Sequence, residues 1–182
     1  MNVITRVRVD SIGIENLNTV TPSVSFHFNC FGANDEPLPG LGGRINNAIL
    51  EKNSAWHSQV DTFIATLIPK AKALVAEFDP YDSVEIQVIA IQLKRYRDGG
   101  QGINIVFRRD DDPFHSCLLF EYKRPPYEHL RINQKLDVTD EKVAYAVDAR
   151  ITQIMEAADA LALQINRGRN IQRKERVNVP KS

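Results

Sequence analysis

Ser83-Val-Glu-Ile-Gln-Val-Ile-Ala-Ile-Gln-Leu-Lys-Arg-Tyr96 is the stretch on which the fold turns. It is rich in Val and Ile, and successive side chains of a strand point to opposite faces. Val84, Ile86 and Val88 share one parity, whereas Ile89, Ile91 and Leu93 share the other. Such a strand is either buried on both sides or contains a bulge that switches its facing. Two further strand-like runs follow it. Ile103–Arg108 comes after the turn Asp98-Gly-Gly-Gln-Gly102, and Phe114–Lys123 comes after Asp110-Asp-Asp-Pro113. Short Gly- or Asp-rich links between such runs predict an antiparallel meander.

Upstream, residues 44–78 change period. Ile45, Ile49, Trp56, Val60, Phe63, Leu67, Leu74 and Phe78 recur at helical spacing, with Ala48, Ile64 and Ala71 widening the stripe. Pro69 interrupts this run; it lacks a backbone donor and clashes with the carbonyl of Ala65, which predicts a kink or two consecutive helices. Further upstream, Val3, Thr5, Val7 and Val9 alternate with Ile4, Arg6 and Arg8 as a first strand. After a polar connection, Val24–Phe31 forms a second, with Val24, Phe26, Phe28 and Cys30 on one face. The loop 32–43 is rich in Gly and Pro. Downstream, Pro125-Pro126 breaks the pattern. A helix is expected from Thr139 to about Ile165, with Val147, Ile151, Ile154, Ala158, Leu161 and Ile165 as its seam.

These segments predict an α+β fold of order ββ-α(α)-βββ-α. Its mainly antiparallel sheet would have about five strands, with the long helices packed on it. Residues 1–166 are expected to form a single α+β domain and residues 167–182 a basic C-terminal tail. The chain has 182 residues, 43% apolar and 25% charged, enough to bury a core without a metal or disulfide staple. No apolar run reaches the ~18 residues of a membrane span, so no membrane partner is expected. The N-terminus lacks the apolar stretch of a secretion signal. Cys30 and Cys117 both lie in strand-like runs, where cysteine is usually a small buried hydrophobe. A cytoplasmic location is expected. The zero net charge hides a split: Arg167, Arg169, Arg173, Lys174, Arg176 and Lys181 against Glu175 make the tail +5, leaving residues 1–166 at −5.

The first candidate site is Leu119-Phe-Glu-Tyr-Lys-Arg-Pro-Pro126. A Glu and a Lys two apart on a strand share a face, where a carboxylate can hold a divalent metal and an ammonium can orient a water. The stretch resembles the third strand of the PD-(D/E)xK family of metal-dependent nucleases, whose core begins helix, three strands, helix, as residues 44–166 do. The resemblance implies catalytic roles for Glu121 and Lys123 and a Mg²⁺ or Mn²⁺ ion. It also requires an acid on the preceding strand. If Arg109 pairs with Phe114, Glu121 lies across from Gly102, with Asn104 nearby, and neither is an acid. Asp98 and Glu77 are the next candidates by position.

The other candidates are local. Gly40, Gly42, Gly43 and Arg44, at the expected start of a helix, would let backbone N–H groups approach an anion. Asp110–Asp112 with His115 could hold a metal, but such a cluster is more often a solvated hairpin turn, and no metal site is expected. His27, His57 and His129 stand isolated. Lys94, Arg95 and Arg97 with Arg108 and Arg109 bracket one hairpin as a local basic patch. Arg167, Arg169, Arg173, Lys174 and Arg176 suit an acidic partner, and can track a phosphate backbone. With no complete catalytic set, the expected function is a non-catalytic binding or assembly protein. It would form a homo-oligomer, engage an acidic partner through its tail and need no cofactor. The alternative is a PD-(D/E)xK-type nuclease, or an inactive relative.

Overall fold

Strand β4, Ile86–Arg95, is the middle of a seven-stranded antiparallel sheet in the computed structural model of the chain. The structure describes residues 3–78, 85–97, 99–111, 118–123, 129–132 and 141–177. β1 (Arg6–Glu15), β2 (Ser23–Phe31) and β3 (Gly43–Asn46) lie on one side of β4. β5 (Gln101–Arg109), β6 (Leu118–Lys123) and β7 (His129–Ile132) lie on the other. The strand order is β3-β2-β1-β4-β5-β6-β7, so the expected three-strand meander forms and continues through β7. Both edge strands are only four residues long, which limits edge-to-edge pairing with other chains.

The double parity of β4 resolves as a bulge. The β4–β5 register shifts between Val88 and Ala90, so Ile86, Val88, Ile91 and Leu93 are all buried. One inserted residue re-aims the second half of the strand. Of the two readings of this strand, the bulge is the one that holds, and burial on both sides is not needed. A second bulge lies between Val9 and Ser11 of β1 and does the same for Val7, Val9, Ile12 and Ile14. Because of it, the strand predicted to end at Val9 runs on to Glu15, through residues expected to form a polar connection.

Helices α1 (Asn47–Leu50), α2 (Ser54–Phe78) and α3 (Glu141–Val177) complete the fold. The helical period expected from residue 44 is partly a strand: Gly43–Asn46 pairs with β2, burying Ile45. The break between helices falls at 51–53, not at Pro69. Asn53 accepts from the backbone N–H groups of Ala55 and Trp56, a start signal for α2. Pro69 sits inside an unbroken helix. It and Ala65 are both on the exposed side, where water can satisfy the carbonyl that Pro69 leaves without a donor.

Both long helices pack on one face of the sheet. Val60, Phe63, Ile64, Leu67, Ala71, Leu74 and Val75 of α2 join the seam of α3 in a single cluster with the inward residues of the strands. Phe63 meets Phe26 of β2 edge to face, ring centres 5.7 Å apart. All six seam residues predicted for α3 are buried. Polar ties fix its position. Buried Gln101 donates to the Asp148 carbonyl, its carboxylate and the Thr152 hydroxyl. At the β1 bulge, Asp159 accepts from the Val9 N–H at 2.6 Å and from Arg95 at 2.8 Å, while Arg95 also donates to the Val9 carbonyl. The bulge thus frees two backbone groups from the ladder, and a helix carboxylate and a strand guanidinium take them.

The helix does not end near Ile165 as expected. Its backbone continues through Val177, so most of the segment read as a tail is helical. Gln, Lys, Arg and Glu are good helix formers, and cations near a helix C-terminus complement its dipole. Among the described residues no helix is long and apolar enough to cross a membrane.

Candidate functional site

The face of the sheet away from the helices is built from the alternate residues of each strand. Ser11, Ser25, His27, Gln92, Lys94, Asn104, Glu121 and Lys123 stand there because their neighbours Ile12, Phe26, Leu93, Ile105, Phe120 and Tyr122 are buried. A hollow of about 130 Å³ opens on this face, lined by Gln92, Lys94, Tyr96, Gly102, Asn104, Glu121 and Lys123. Gly102 is the reason for it. A Cβ there would come within 2.9 Å of the Tyr122 carbonyl and 3.4 Å of the Tyr96 hydroxyl, so the position stays bare between Lys94 and Lys123.

Glu121 and Lys123 share this hollow, as the Glu-x-Lys spacing requires. Their side chains form an ion pair with Lys123 Nζ 2.9 Å from Glu121 Oε1, the carboxylate side chain only 14% exposed. The β5–β6 register differs by two residues from the expected one: Asn104, not Gly102, lies across from Glu121, and Gly102 lies across from Lys123. A shift of two preserves the faces, so the amide takes the position where the nuclease pattern needs an acid. Glu77 of α2 is bound to Arg150 of α3 at 2.5 Å, on the helical side of the sheet from Glu121. Asp98 lies outside the described residues. One carboxylate already held by an ammonium, with amides beside it, is a poor donor set for Mg²⁺ or Mn²⁺. No group of three His, Cys, Asp or Glu side chains able to hold a metal occurs among the described residues.

The remaining candidates separate. Gly40 has φ +79°, a turn conformation that suits glycine, and Gly42 packs where a Cβ would meet the Phe28 carbonyl at 2.7 Å. The glycine loop leads into strand β3, with Gly43 and exposed Arg44 on it, and not into a helix N-terminus as expected. The basic patch around the β4–β5 hairpin also divides. Arg95 turns to Asp159 on the helical side, and Arg109 is held by Asp111. Lys94 and Arg108 stand at opposite ends of the hairpin, across from Gly102 and Gln87. Of the acidic turn, Asp111 is exposed, and the Arg109 hydrogen bond to it holds its carboxyl below the usual aspartate value. Asp112 and His115 lie outside the described residues, as does Cys117. Cys30 is buried, its thiol donating to the Leu41 carbonyl and accepting from the Asn166 side-chain amide. His57 pairs with Asp61 at 2.8 Å.

Arg167 is exposed at the point where α3 passes its last buried side chains among the described residues, Ile165 and Asn166. Gly168 lies against the Trp56 indole, 3.3 Å from its Nε1 at the Cβ position. Positions 169, 173, 174 and 176 follow on the same helix. Sequence reasoning placed Asn104 near Glu121 but missed Gln92 and Tyr96, which carry no motif and which only the register gathers into the hollow. No family model, no curated protein and no solved structure matches this chain.

Proposed function

We propose that this chain is a non-catalytic binding and assembly protein that self-associates and engages an acidic partner through the basic C-terminal end of α3. The observation that carries the reading is the continuity of that helix. Five basic residues and one acid lie on the last eleven helical positions, about 16 Å of helix at 1.5 Å per residue, past Ile165 and Asn166, the last buried side chains among the described residues. Residues 1–166 carry −5, so a second copy is itself an acidic partner. A presented helix loses less freedom on docking than a flexible tail, which favours binding.

The test is light scattering on the full chain and on a chain ending at Gly168, which keeps the Trp56 contact. The full chain is expected to exceed monomer mass at low salt and to fall toward it at 1 M, where the Debye length is ~3 Å. Equal masses for both chains at low salt would refute the reading.

A second reading, an inactive relative of the PD-(D/E)xK nucleases, is favoured by one observation: Glu121 and Lys123 line the same hollow. An active member of that family is the third reading. Manganese-dependent cleavage of a labelled duplex, lost in both Glu121→Ala and Lys123→Ala, would establish the active form and overturn the non-catalytic reading. Asn104 opposite Glu121 argues for no cleavage.

A further inference from the structure

Antiparallel pairing aligns one residue from every strand into a continuous row across the open face. The row reads Arg44, His27, Ser11, Lys94, Gly102, Lys123 and His129, each the register partner of the next. At ~4.8 Å between strands, its six intervals span roughly 29 Å. Of its seven positions three are permanently cationic, two are histidines and none is acidic. This is a basic line on a body that carries −5. A parallel row, Asn46, Ser25, Gly13, Gln92, Asn104, Glu121 and Arg131, runs beside it and supplies amides and a hydroxyl.

We infer that the open sheet face binds single-stranded nucleic acid, with the backbone lying along the Arg44–His129 row. Charge complementarity commits the row to a polyanion, because cations spaced along a line track a phosphate chain. Bare Gly102 between Lys94 and Lys123 opens the hollow of about 130 Å³ on the row, with the Tyr96 hydroxyl on its wall. The neighbouring amides of Gln92 and Asn104 are placed to hydrogen-bond sugars or bases of a strand whose bases are unpaired. A duplex occupies those base edges in pairing and offers the remainder only inside its grooves. Glu121 works against this binding, since it takes one side of Lys123 and adds a negative charge beside the row. The inference is independent of the C-terminal arm.

The experiment is fluorescence anisotropy of a labelled oligothymidylate of about 15 nucleotides, within the usual single-strand site range. It is run beside labelled polyglutamate, using the full chain and its variants. Arg44→Glu and Lys94→Glu change exposed side chains and should keep the fold, which far-ultraviolet circular dichroism verifies. Each is expected to weaken oligothymidylate binding at least threefold at low salt. Each should also lower the salt slope by about 0.7 for every phosphate that the variant no longer neutralises. Glu121→Gln is expected to tighten binding, the opposite of what loss of a catalytic carboxylate would do to cleavage. The inference is overturned by no binding of oligothymidylate, or by unchanged affinity in both charge reversals. It is overturned equally if polyglutamate affinity falls by the same factor, because the face would then be a docking surface for acidic polypeptide.

Discussion

Replacing Asp159 by Ala removes the link that holds α3 to the β1 bulge. Asp159 accepts from the Val9 N–H at 2.6 Å and from Arg95 Nη1 at 2.8 and 2.9 Å. Hydrogen bonds to charged groups contribute about 1.5–3 kcal/mol each, and breaking a fully buried ion pair costs about 3–5 kcal/mol. Here the Arg95 and Asp159 side chains are 15% and 25% exposed, so water recovers part of the loss. Arg95 also keeps the Val9 carbonyl as a partner. The expected cost is therefore about 2–3 kcal/mol, below the fully buried limit. At this chain length that lowers Tm by about 4–12 °C. Asp159→Asn, which retains an acceptor for Val9, should cost less than Asp159→Ala. Urea unfolding followed by circular dichroism measures both, and a double-mutant cycle with Arg95→Met should give a coupling of about 1–2 kcal/mol. A loss under about 0.5 kcal/mol for Asp159→Ala, or a coupling near zero, would refute the claim that this pair stabilises the bulge.

Leu67→Ala and Ile154→Ala each remove a side chain at most 4% exposed, so each should cost about 2–5 kcal/mol in the same assay. Gly42→Ala would place a Cβ 2.7 Å from the Phe28 carbonyl, which is backbone and cannot swing away. The expected loss is about 1–3 kcal/mol, and a neutral result would show that the β2–β3 approach is looser than described. Asp111 should titrate below an ordinary aspartate in a carboxyl carbon NMR titration, and Arg109→Gln should move it back up. Because its folded value is depressed, its small contribution to stability is present above the ordinary aspartate range and lost as pH falls through the folded value. An unchanged titration in Arg109→Gln would remove Arg109 as the cause.

How much of the fold is legible in the sequence depends on the range of the interaction concerned. The β4 bulge is readable because side-chain parity is a local property: Val88, Ile89 and Ile91 cannot share a face on a regular strand. The α3 seam is readable for the same reason at the helical period. The extension of α3 past Ile165 escapes such a reading because its residues stop being apolar, although nothing there stops a helix before Val177. Strand β3 is hidden inside a helical-looking period, since Ile45 fits either, and pairing with β2 decides it. In the candidate site, the shared face of Glu121 and Lys123 follows from their spacing alone. That neither Gly102 nor Asn104 is an acid is readable too, but which of them stands opposite Glu121 is not, because register depends on the geometry of the connection between the strands.

The sequence by itself determined the α+β class, the antiparallel meander, the helix faces and the charge split between the C-terminal segment and the rest. Each follows from periodicity or composition within a few residues of chain. Only the tertiary structure decided that β4 is central with β1 beside it, and that seven strands contribute to one basic row. It alone paired Asn104 with Glu121, and seated Asp159 and Arg95 on the freed groups of Val9. Those arrangements join residues 17 to 150 positions apart. At such separations local preference carries no information, and ladder register, bulges and packing choose among many pairings that the sequence leaves nearly equal.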